Sequence, residues 1–152
     1  MRDRATLDSN VLVYSEIEPL SDKGRRASRL IAAAAPRGIL TVQALLEFVA
    51  VVRRKRPAIL APATQSFELW RRVFELAPTT PEVAQTALAL SRDHGFQVWD
   101  AVIWSAAKLA GATVIFSEDL KDGLARDGMR VINPFVLSED AFAEILAEGM
   151  SF

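Results

Sequence analysis

The chain has 152 residues, no cysteine, one histidine and a formal net charge of −1. This length favours a single domain with a sizeable core, and the lack of cysteine excludes disulfides and thiolate metal sites. The near-neutral charge means that only a local basic patch could support nucleic-acid binding. No apolar run approaches the roughly 18 residues of a membrane span, and the first residues lack the apolar segment of a signal peptide. We therefore expect a cytoplasmic protein without membrane association.

The first apolar stretch, Ala5 to Tyr14, carries Asp8, Ser9 and Asn10 at its centre. This pattern predicts a short buried β-strand that ends at Asp8 and a helix that follows at once, because all three polar residues are good helix N-caps. In open parallel α/β sheets, ligands bind at the carboxyl ends of strands. Asp8 is therefore the first candidate site residue.

The rest of the chain alternates predicted helices with short predicted strands. We predict helices at 21–35, 43–54, 62–74, 81–93, 99–109 and 138–147, and strands at 38–42, 74–77, 112–116 and 129–132. Thr41 is a candidate cap for the helix after it, and Pro57 prevents that helix from continuing. The helix at 81–93 lies between Pro81 and Gly95, the expected arrangement of start and stop residues. The alternation predicts an α/β fold: a central parallel sheet of about five short strands, with helices on both faces.

Four carboxylates lie inside or at the edge of four separate apolar segments. They are Asp8, Glu47, Asp100 and Asp119. Charged side chains are rarely buried unless they are paired or bind a metal. Glu47 is the hardest to explain otherwise, because it lies in the middle of a predicted helix, where the alternative is an ion pair with an arginine or lysine.

The other three acids have simpler alternatives. Asp8 could have no role beyond capping its helix. Asp100 could interact with the helix dipole, because it lies at the predicted opening of the helix at 99–109. Asp119 could be a first-turn acid with Ser117 as the cap. Taken together, the four acids favour a site for Mg²⁺ or Mn²⁺, because hard cations prefer oxygen ligands and the chain offers no histidine or cysteine cluster for zinc.

Four segments, in this order along the chain, resemble the PIN-domain family, and within it the VapC-type toxins of bacterial toxin–antitoxin pairs. The segments are Leu7 to Tyr14, Gln43 to Phe48, Trp99 to Ile103 and Phe116 to Leu120. The resemblance implies a PIN-like nuclease domain at residues 1–135, with a parallel sheet between layers of helices. Residues 136–152 lie outside the pattern, and we expect them to form a C-terminal helical extension packed on the same domain.

The resemblance also implies Mg²⁺- or Mn²⁺-dependent cleavage of single-stranded RNA by a metal-activated water, with no side-chain nucleophile. Carried over by position, the catalytic, metal-binding acids would be Asp8, Glu47, Asp100 and Asp119. Ser9 would orient the first acid or a water of the metal, and Asp122 would be a further acid. Glu118 competes with Asp119, and the spacing of the family favours Asp119. The implied partners are a second copy of the chain, in a homodimer, and a separately encoded cognate antitoxin.

Two groups of basic residues are candidates for RNA binding, and both could instead be solvated helix surface. They are Arg53, Arg54, Lys55 and Arg56 at a helix end, and Lys23, Arg25, Arg26 and Arg29. The stripe of Phe67, Trp70 and Phe74 has helical spacing and favours a core position over a dimer seam or a groove for an antitoxin helix. His94 precedes the Gly95 helix stop, and we expect no catalytic role for it.

Other functions remain open from the sequence alone. An aspartyl-phosphate phosphatase expects a second Asp two places after the first, where this chain has Asn10, and a response-regulator receiver expects an acidic neighbour beside Asp8. A PIN-like module that binds RNA or protein without turnover is a further alternative, although all four acids are present. The sequence does not separate RNA from DNA as substrate, or one bound metal from two.

Overall fold

The computed structural model describes residues 3–148. Their strands form one sheet in the order β3-β2-β1-β4-β6-β5. The strands are β1 (Ala5–Leu7), β2 (Ile39–Thr41), β3 (Glu75–Ala77), β4 (Val114–Phe116), β5 (Ala125–Arg126) and β6 (Met129–Ile132). Neighbouring strands are parallel throughout, except that β5 is antiparallel to β6. The α/β fold and its five predicted parallel strands are confirmed.

The sixth strand, β5, was not predicted, because two residues are too few to show an alternating pattern. A short hairpin joins it to β6 through Asp127 and Gly128, which have φ angles of 50° and 81°. Positive φ at both central residues is typical of the type I′ hairpin turn that Asp-Gly favours. That dipeptide was therefore the available local signal for the extra strand.

Seven α-helices surround the sheet in the described part of the chain. They are α1 (Ser9–Ile17), α2 (Asp22–Ala34), α3 (Val42–Lys55), α4 (Leu60–Val73), α5 (Pro81–His94), α6 (Val98–Leu109) and α7 (Glu139–Ala147), with a 3₁₀ turn at Pro57–Ile59. Thr41 caps α3 by accepting a hydrogen bond from the N–H of Ala44, as predicted. Gly95 ends α5 in the left-handed conformation, with φ of 71°. No helix in residues 3–148 is both long and apolar enough to cross a membrane.

Two helix starts differ from the prediction. α4 begins at Leu60 and includes Pro62, which a first helical turn tolerates because its N–H groups have no intrahelical partner. α6 does not open at Asp100. Gln97 caps it, and its side-chain oxygen accepts hydrogen bonds from the N–H groups of Trp99 and Asp100 at 2.8 and 3.0 Å. The carboxylate of Asp100 is therefore not used as the cap.

Alternating side chains of the strands build two hydrophobic cores, one on each face of the sheet. Leu7 and Phe116 belong to the core covered by α1–α4 and α7, whereas Ile115 belongs to the core covered by α5 and α6. The aromatic stripe of α4 is part of the first core, as predicted. Trp70 and Phe74 are 6% and 5% exposed, and the Trp70 ring meets Phe48 edge-on at 4.9 Å between centroids.

The chain returns to the first core after β6. Phe142 of α7 is fully buried there, and Arg26 of α2 donates hydrogen bonds to the carbonyl oxygens of Pro134 and Leu137, both at 2.8 Å. The same guanidinium pairs with Glu139 at 2.7 Å. Residues 149–152 of the predicted C-terminal extension, and residues 1 and 2, lie outside the described part of the chain.

Candidate functional site

The candidate site lies at the carboxyl edge of the two central strands, β1 and β4. The chain continues from β1 to β2 on one side of the sheet and from β4 to β6 on the other, so the strand order reverses between them. Leu7 is in register with Phe116, and the N–H of Asp8 donates to the Phe116 carbonyl at 2.9 Å. Such reversal points form a crevice for ligands in parallel α/β sheets. The first candidate acid therefore lies where this topology places a ligand.

Asp8 is buried, at 2% exposure, and neutral groups supply its hydrogen bonds. The hydroxyl of Ser117 donates to Oδ2 at 2.6 Å, and the N–H of Ser9 donates to Oδ1 at 2.7 Å, which also makes Asp8 the N-cap of α1. Burial raises the pKa of Asp8 to about 7, although the Ser117 and Ser9 hydrogen bonds lower it. The charges of Asp100 and Asp119 raise the pKa of Asp8 further. Asp8 is thus a buried acid whose charge is opposed by its surroundings.

The loop after β4 brings Asp119 to Asp8 through Asn10. The side-chain amide of Asn10 lies 3.4 Å from Asp8 Oδ2 and 3.3 Å from Asp119 Oδ2, and its oxygen accepts the N–H of Glu118 at 3.4 Å. The hydroxyl oxygen of Ser117 accepts the N–H of Asp119 at 3.1 Å. Asn10 and Ser117 were not predicted as site residues. The turn-forming serine two residues before Asp119 was the available signal for Ser117.

Glu47 joins the site from the middle of α3, and neutral groups satisfy its carboxylate. The hydroxyl of Ser9 donates to Glu47 Oε2 at 2.9 Å, and the Gln43 amide, one turn earlier on α3, donates to Oε1 at 3.1 Å. The Ser9 oxygen also lies 3.5 Å from Asp8 Oδ1. The structure therefore places Ser9 between two of the predicted acids, and within residues 3–148 the contacts of Glu47 are with neutral groups rather than with an arginine or lysine.

Asp100 completes the group from the first turn of α6. It is half-buried, and its pKa is raised to about 6. Burial is the largest cause, and the negative charges of Asp119 and Glu47 raise the pKa further. Because Asp8 also responds to the charges of Asp100 and Asp119, the structure brings all four predicted acids into electrostatic contact. Within residues 3–148, no three acidic or histidine side chains converge closely enough to enclose a metal ion as they are placed.

An open set of acidic oxygens fits the coordination of Mg²⁺. This ion keeps several waters and takes only one or two carboxylates from the protein. The surroundings also favour a cation, because two of the acids have pKa values raised by burial and by the other acids. Asp8, Glu47, Asp100 and Asp119 therefore offer oxygen ligands of the type that a hard divalent cation takes, although no three of them within residues 3–148 converge around one point as they are placed. The same donor set disfavours zinc, which prefers nitrogen and sulfur ligands.

Two other acids of the loop after β4 are engaged in different contacts. Asp122 accepts the N–H of Asn133 at 2.9 Å, so that it ties the loop to the end of β6. Glu118 accepts a hydrogen bond from the Tyr14 hydroxyl and forms an ion pair with Lys23. Burial alone would raise the pKa of Glu118, but its hydrogen bonds with Lys23 and Tyr14 hold that pKa below its usual range. Asp119 rather than Glu118 therefore faces the other acids.

In each of the two basic groups, the structure places one lysine near the candidate site and gives other members contacts elsewhere. Lys55 lines a groove together with Ser9, Asn10 and Asp119, whereas Arg56 donates to the carbonyl oxygen of Ile17 at 3.2 Å. In the second group, Lys23 lies beside the site, where it forms an ion pair with Glu118. The other members contact other groups: Arg25 pairs with Asp22, Arg26 holds the segment before α7, and Arg29 lies over the Phe142 ring. His94 contacts the Arg126 guanidinium at the end of α5.

Comparison with known proteins gives a consistent result. The sequence matches the PIN domain family over residues 5–126. VapC20 of Mycobacterium tuberculosis, described as a sarcin-ricin loop cleaving toxin, is 16% identical, with a TM-score of 0.63 over 76% of this chain and 91% of that chain. A toxin–antitoxin complex from Klebsiella pneumoniae is 18% identical, with a TM-score of 0.64 over 88% and 99% of the two chains.

FitAcB from Neisseria gonorrhoeae is a third similar structure. It is 19% identical, with a TM-score of 0.62, and the match covers 88% of this chain and 99% of that chain. At these identities the likeness shows the fold. Comparison with curated protein sequences gives no significant match.

Proposed function

Because the chain belongs to the PIN-domain family, we propose that it is a metal-dependent endoribonuclease that hydrolyses phosphodiester bonds of single-stranded RNA. The observation that carries this proposal is the group of four acids at the strand-order reversal, where burial and mutual repulsion raise the pKa of two of them. We assign Mg²⁺ or Mn²⁺ as the cofactor, held by Asp8, Glu47, Asp100 and Asp119. Asp122 is left out of this set because it contacts Asn133 instead.

The residues of the site prepare the acids for this role. Ser117 and the N–H of Ser9 each fix one oxygen of Asp8, and Asn10 holds Asp119 beside it. A divalent cation held by these acids would supply charge stabilisation for a phosphoryl oxygen and would lower the pKa of a bound water. In the hydrolysis, a water oxygen forms the new bond to phosphorus while the bond to the leaving oxygen, in line with it, breaks. No side-chain nucleophile is required.

We further propose that the protein is the toxin of a type II toxin–antitoxin pair. Structures that share its fold include a toxin and a toxin–antitoxin complex. The partner would then be a cognate antitoxin, and the place of action would be the cytoplasm, where RNA is available. We also propose a homodimer as the active form. Growth arrest on expression, relieved by the product of a neighbouring gene, would support the toxin role, whereas harmless expression of a cleaving enzyme would count against it.

The test of the nuclease proposal is a cleavage assay with single-stranded RNA, with and without Mg²⁺ or Mn²⁺. We expect cleavage only with added cation, and none by the Asp100→Asn variant. Asp140→Asn changes an exposed acid of α7 and serves as the control that should cleave normally. Circular dichroism of both variants would confirm folding. Cleavage by Asp100→Asn at the wild-type rate would contradict the assignment, and cleavage of DNA but not RNA would change the substrate.

A further inference from the structure

Two rows of side chains lead away from the four acids. On α3, the row consists of Glu47, Val51 and Lys55, which are spaced four residues apart and therefore share one helix face. On α1, the row begins with the site residues and continues at spacings of three and four. Its members are Ser9, Asn10, Val13, Tyr14, Ile17 and Glu18. Both rows start in the candidate metal site and end at the carboxyl end of their helix.

The α1 row, together with Val51 and Lys55 of the α3 row, lines a groove. Its volume is about 500 Å³, and Glu118 and Asp119 of the loop after β4 complete its wall. This volume lies within the range of about 300–1,000 Å³ that is typical of small-molecule binding sites. The α1 row spans about 13 Å, at 1.5 Å per helical residue. The groove is thus continuous with the acids and large enough for one unit of a polymeric substrate.

The chemistry of the groove changes along its length. Next to the acids it is polar, its middle is formed by Val13, Tyr14, Ile17 and Val51, and its cation is Lys55. Glu118 also lines the groove, but Lys23 pairs with its carboxylate. Unpaired bases bind to apolar and aromatic side chains, and phosphates bind to lysine. The apolar middle therefore fits the uncharged base. The far end carries both the acid Glu18 and the cation Lys55, and Lys55 is the group there that can bind a phosphate.

We propose that this groove binds the unpaired nucleotide next to the cleaved bond, with its base against Val13, Ile17 and Val51 and its outer phosphate on Lys55. This inference rests on the proposed nuclease function and adds a binding site to it. The proposal also assigns different roles to the basic residues at the end of α3. Lys55 is the member that lines the groove, whereas Arg56 is directed to the backbone of α1.

The test measures binding of a fluorescent single-stranded RNA octamer in Mg²⁺, with all proteins carrying Asp100→Asn to prevent cleavage. Lys55→Ala should weaken binding several-fold and lower the slope of log affinity against log salt concentration by about 1, because one phosphate contact is lost. Val51→Phe, which fills the middle of the groove, should weaken binding and leave the salt slope unchanged. Arg72→Ala removes a cation from the last turn of α4 and should bind RNA like the parent.

Normal RNA binding by both Lys55→Ala and Val51→Phe would overturn the inference while leaving the nuclease proposal intact. The same holds if these variants bind RNA normally but lose a co-purifying protein partner, because the groove would then belong to that partner. If the wild-type protein does not cleave RNA and the Asp100→Asn parent does not bind it, the nuclease function is refuted, and the groove assignment with it.

Discussion

Replacement of Asp8 by asparagine should stabilise the metal-free protein at pH 8 while abolishing its proposed activity. Asp8 is buried, and its pKa is about 7 in the folded chain, compared with an ordinary value of 3.8. Since one pKa unit corresponds to about 1.4 kcal/mol, holding this carboxylate ionised above pH 7 costs the fold about 4 kcal/mol. Asparagine has nearly the same shape and carries no charge, so this cost disappears.

Part of the gain is lost because asparagine cannot repeat both hydrogen bonds of the carboxylate. Its oxygen can still accept the N–H of Ser9, which lies 2.7 Å from Asp8 Oδ1. Its amide would then face the Ser117 hydroxyl, whose oxygen already accepts the N–H groups of Asp119 and Leu120. Loss of one hydrogen bond to a charged group costs about 1.5–3 kcal/mol. The net stabilisation at pH 8 should therefore be about 1–3 kcal/mol.

Urea unfolding of metal-free wild type and Asp8→Asn, from pH 4 to pH 8, measures this effect. Between pH 3.8 and about 7 the folded wild type binds more protons at Asp8 than the unfolded chain does, so its stability falls as the pH rises through this window. Asp8→Asn lacks this contribution, and the two stability curves should separate towards pH 8. Asp140→Asn is the exposed control and should follow the wild type. An Asp8→Asn variant that is less stable at pH 8, or a difference that does not change with pH, would refute the reasoning.

Three further predictions follow from other contacts. Mn²⁺ binding, measured by calorimetry, should tighten from pH 5 to pH 8. Asp8 and Asp100 must lose their protons to bind the cation, and their pKa values are about 7 and about 6. An affinity that does not change with pH would contradict this. Ser117→Ala should weaken Mn²⁺ binding about 10–100-fold in a folded protein, since it removes a donor that orients Asp8, and unchanged affinity would exclude that role. Arg26→Ala should lower the free energy of unfolding by about 2–4 kcal/mol, because its hydrogen bonds to two backbone carbonyls are lost. Arg25 is exposed, and Arg25→Ala should change the free energy of unfolding by less than about 1 kcal/mol. Equal effects of the two arginine variants would argue that the hydrogen bonds of Arg26 to Pro134 and Leu137 do not stabilise the fold.

Much of the fold could be predicted because its signals are local. Thr41 and Gly95 mark helix ends through their own backbone and side-chain preferences, and β1 is a short apolar run that stops at Asp8. Four acids in apolar segments predicted one site, and the structure brings them into electrostatic contact. The start of α6 was placed too late because an acid in a first turn resembles a cap, while the residue that caps the helix is Gln97.

The support of the acids could not be predicted, because it depends on contacts between distant segments. Ser117 reaches Asp8 only through the parallel pairing of β1 with β4, which sets the two strand ends side by side. From the sequence, Asn10 is a candidate helix N-cap and the place where another enzyme class has an aspartate, whereas in the structure its amide contacts both Asp8 and Asp119. Likewise, the sequence places four cations at the end of α3, and only the packing of α3 against α1 decides that Lys55 lines the groove.

The contacts of α1 connect the candidate metal site to the groove. Asn10 holds Asp119 at the acids, and one turn later Tyr14 holds Glu118 of the same loop in the groove wall. Because Glu118 and Asp119 are adjacent in the chain, a shift of this loop moves the groove wall and one acid of the candidate site together. Lys23 fixes the loop from the other side through its ion pair with Glu118. If RNA binds in the groove and a cation binds at the four acids, as we propose, both contact the same loop, and each should then favour the loop position that the other requires.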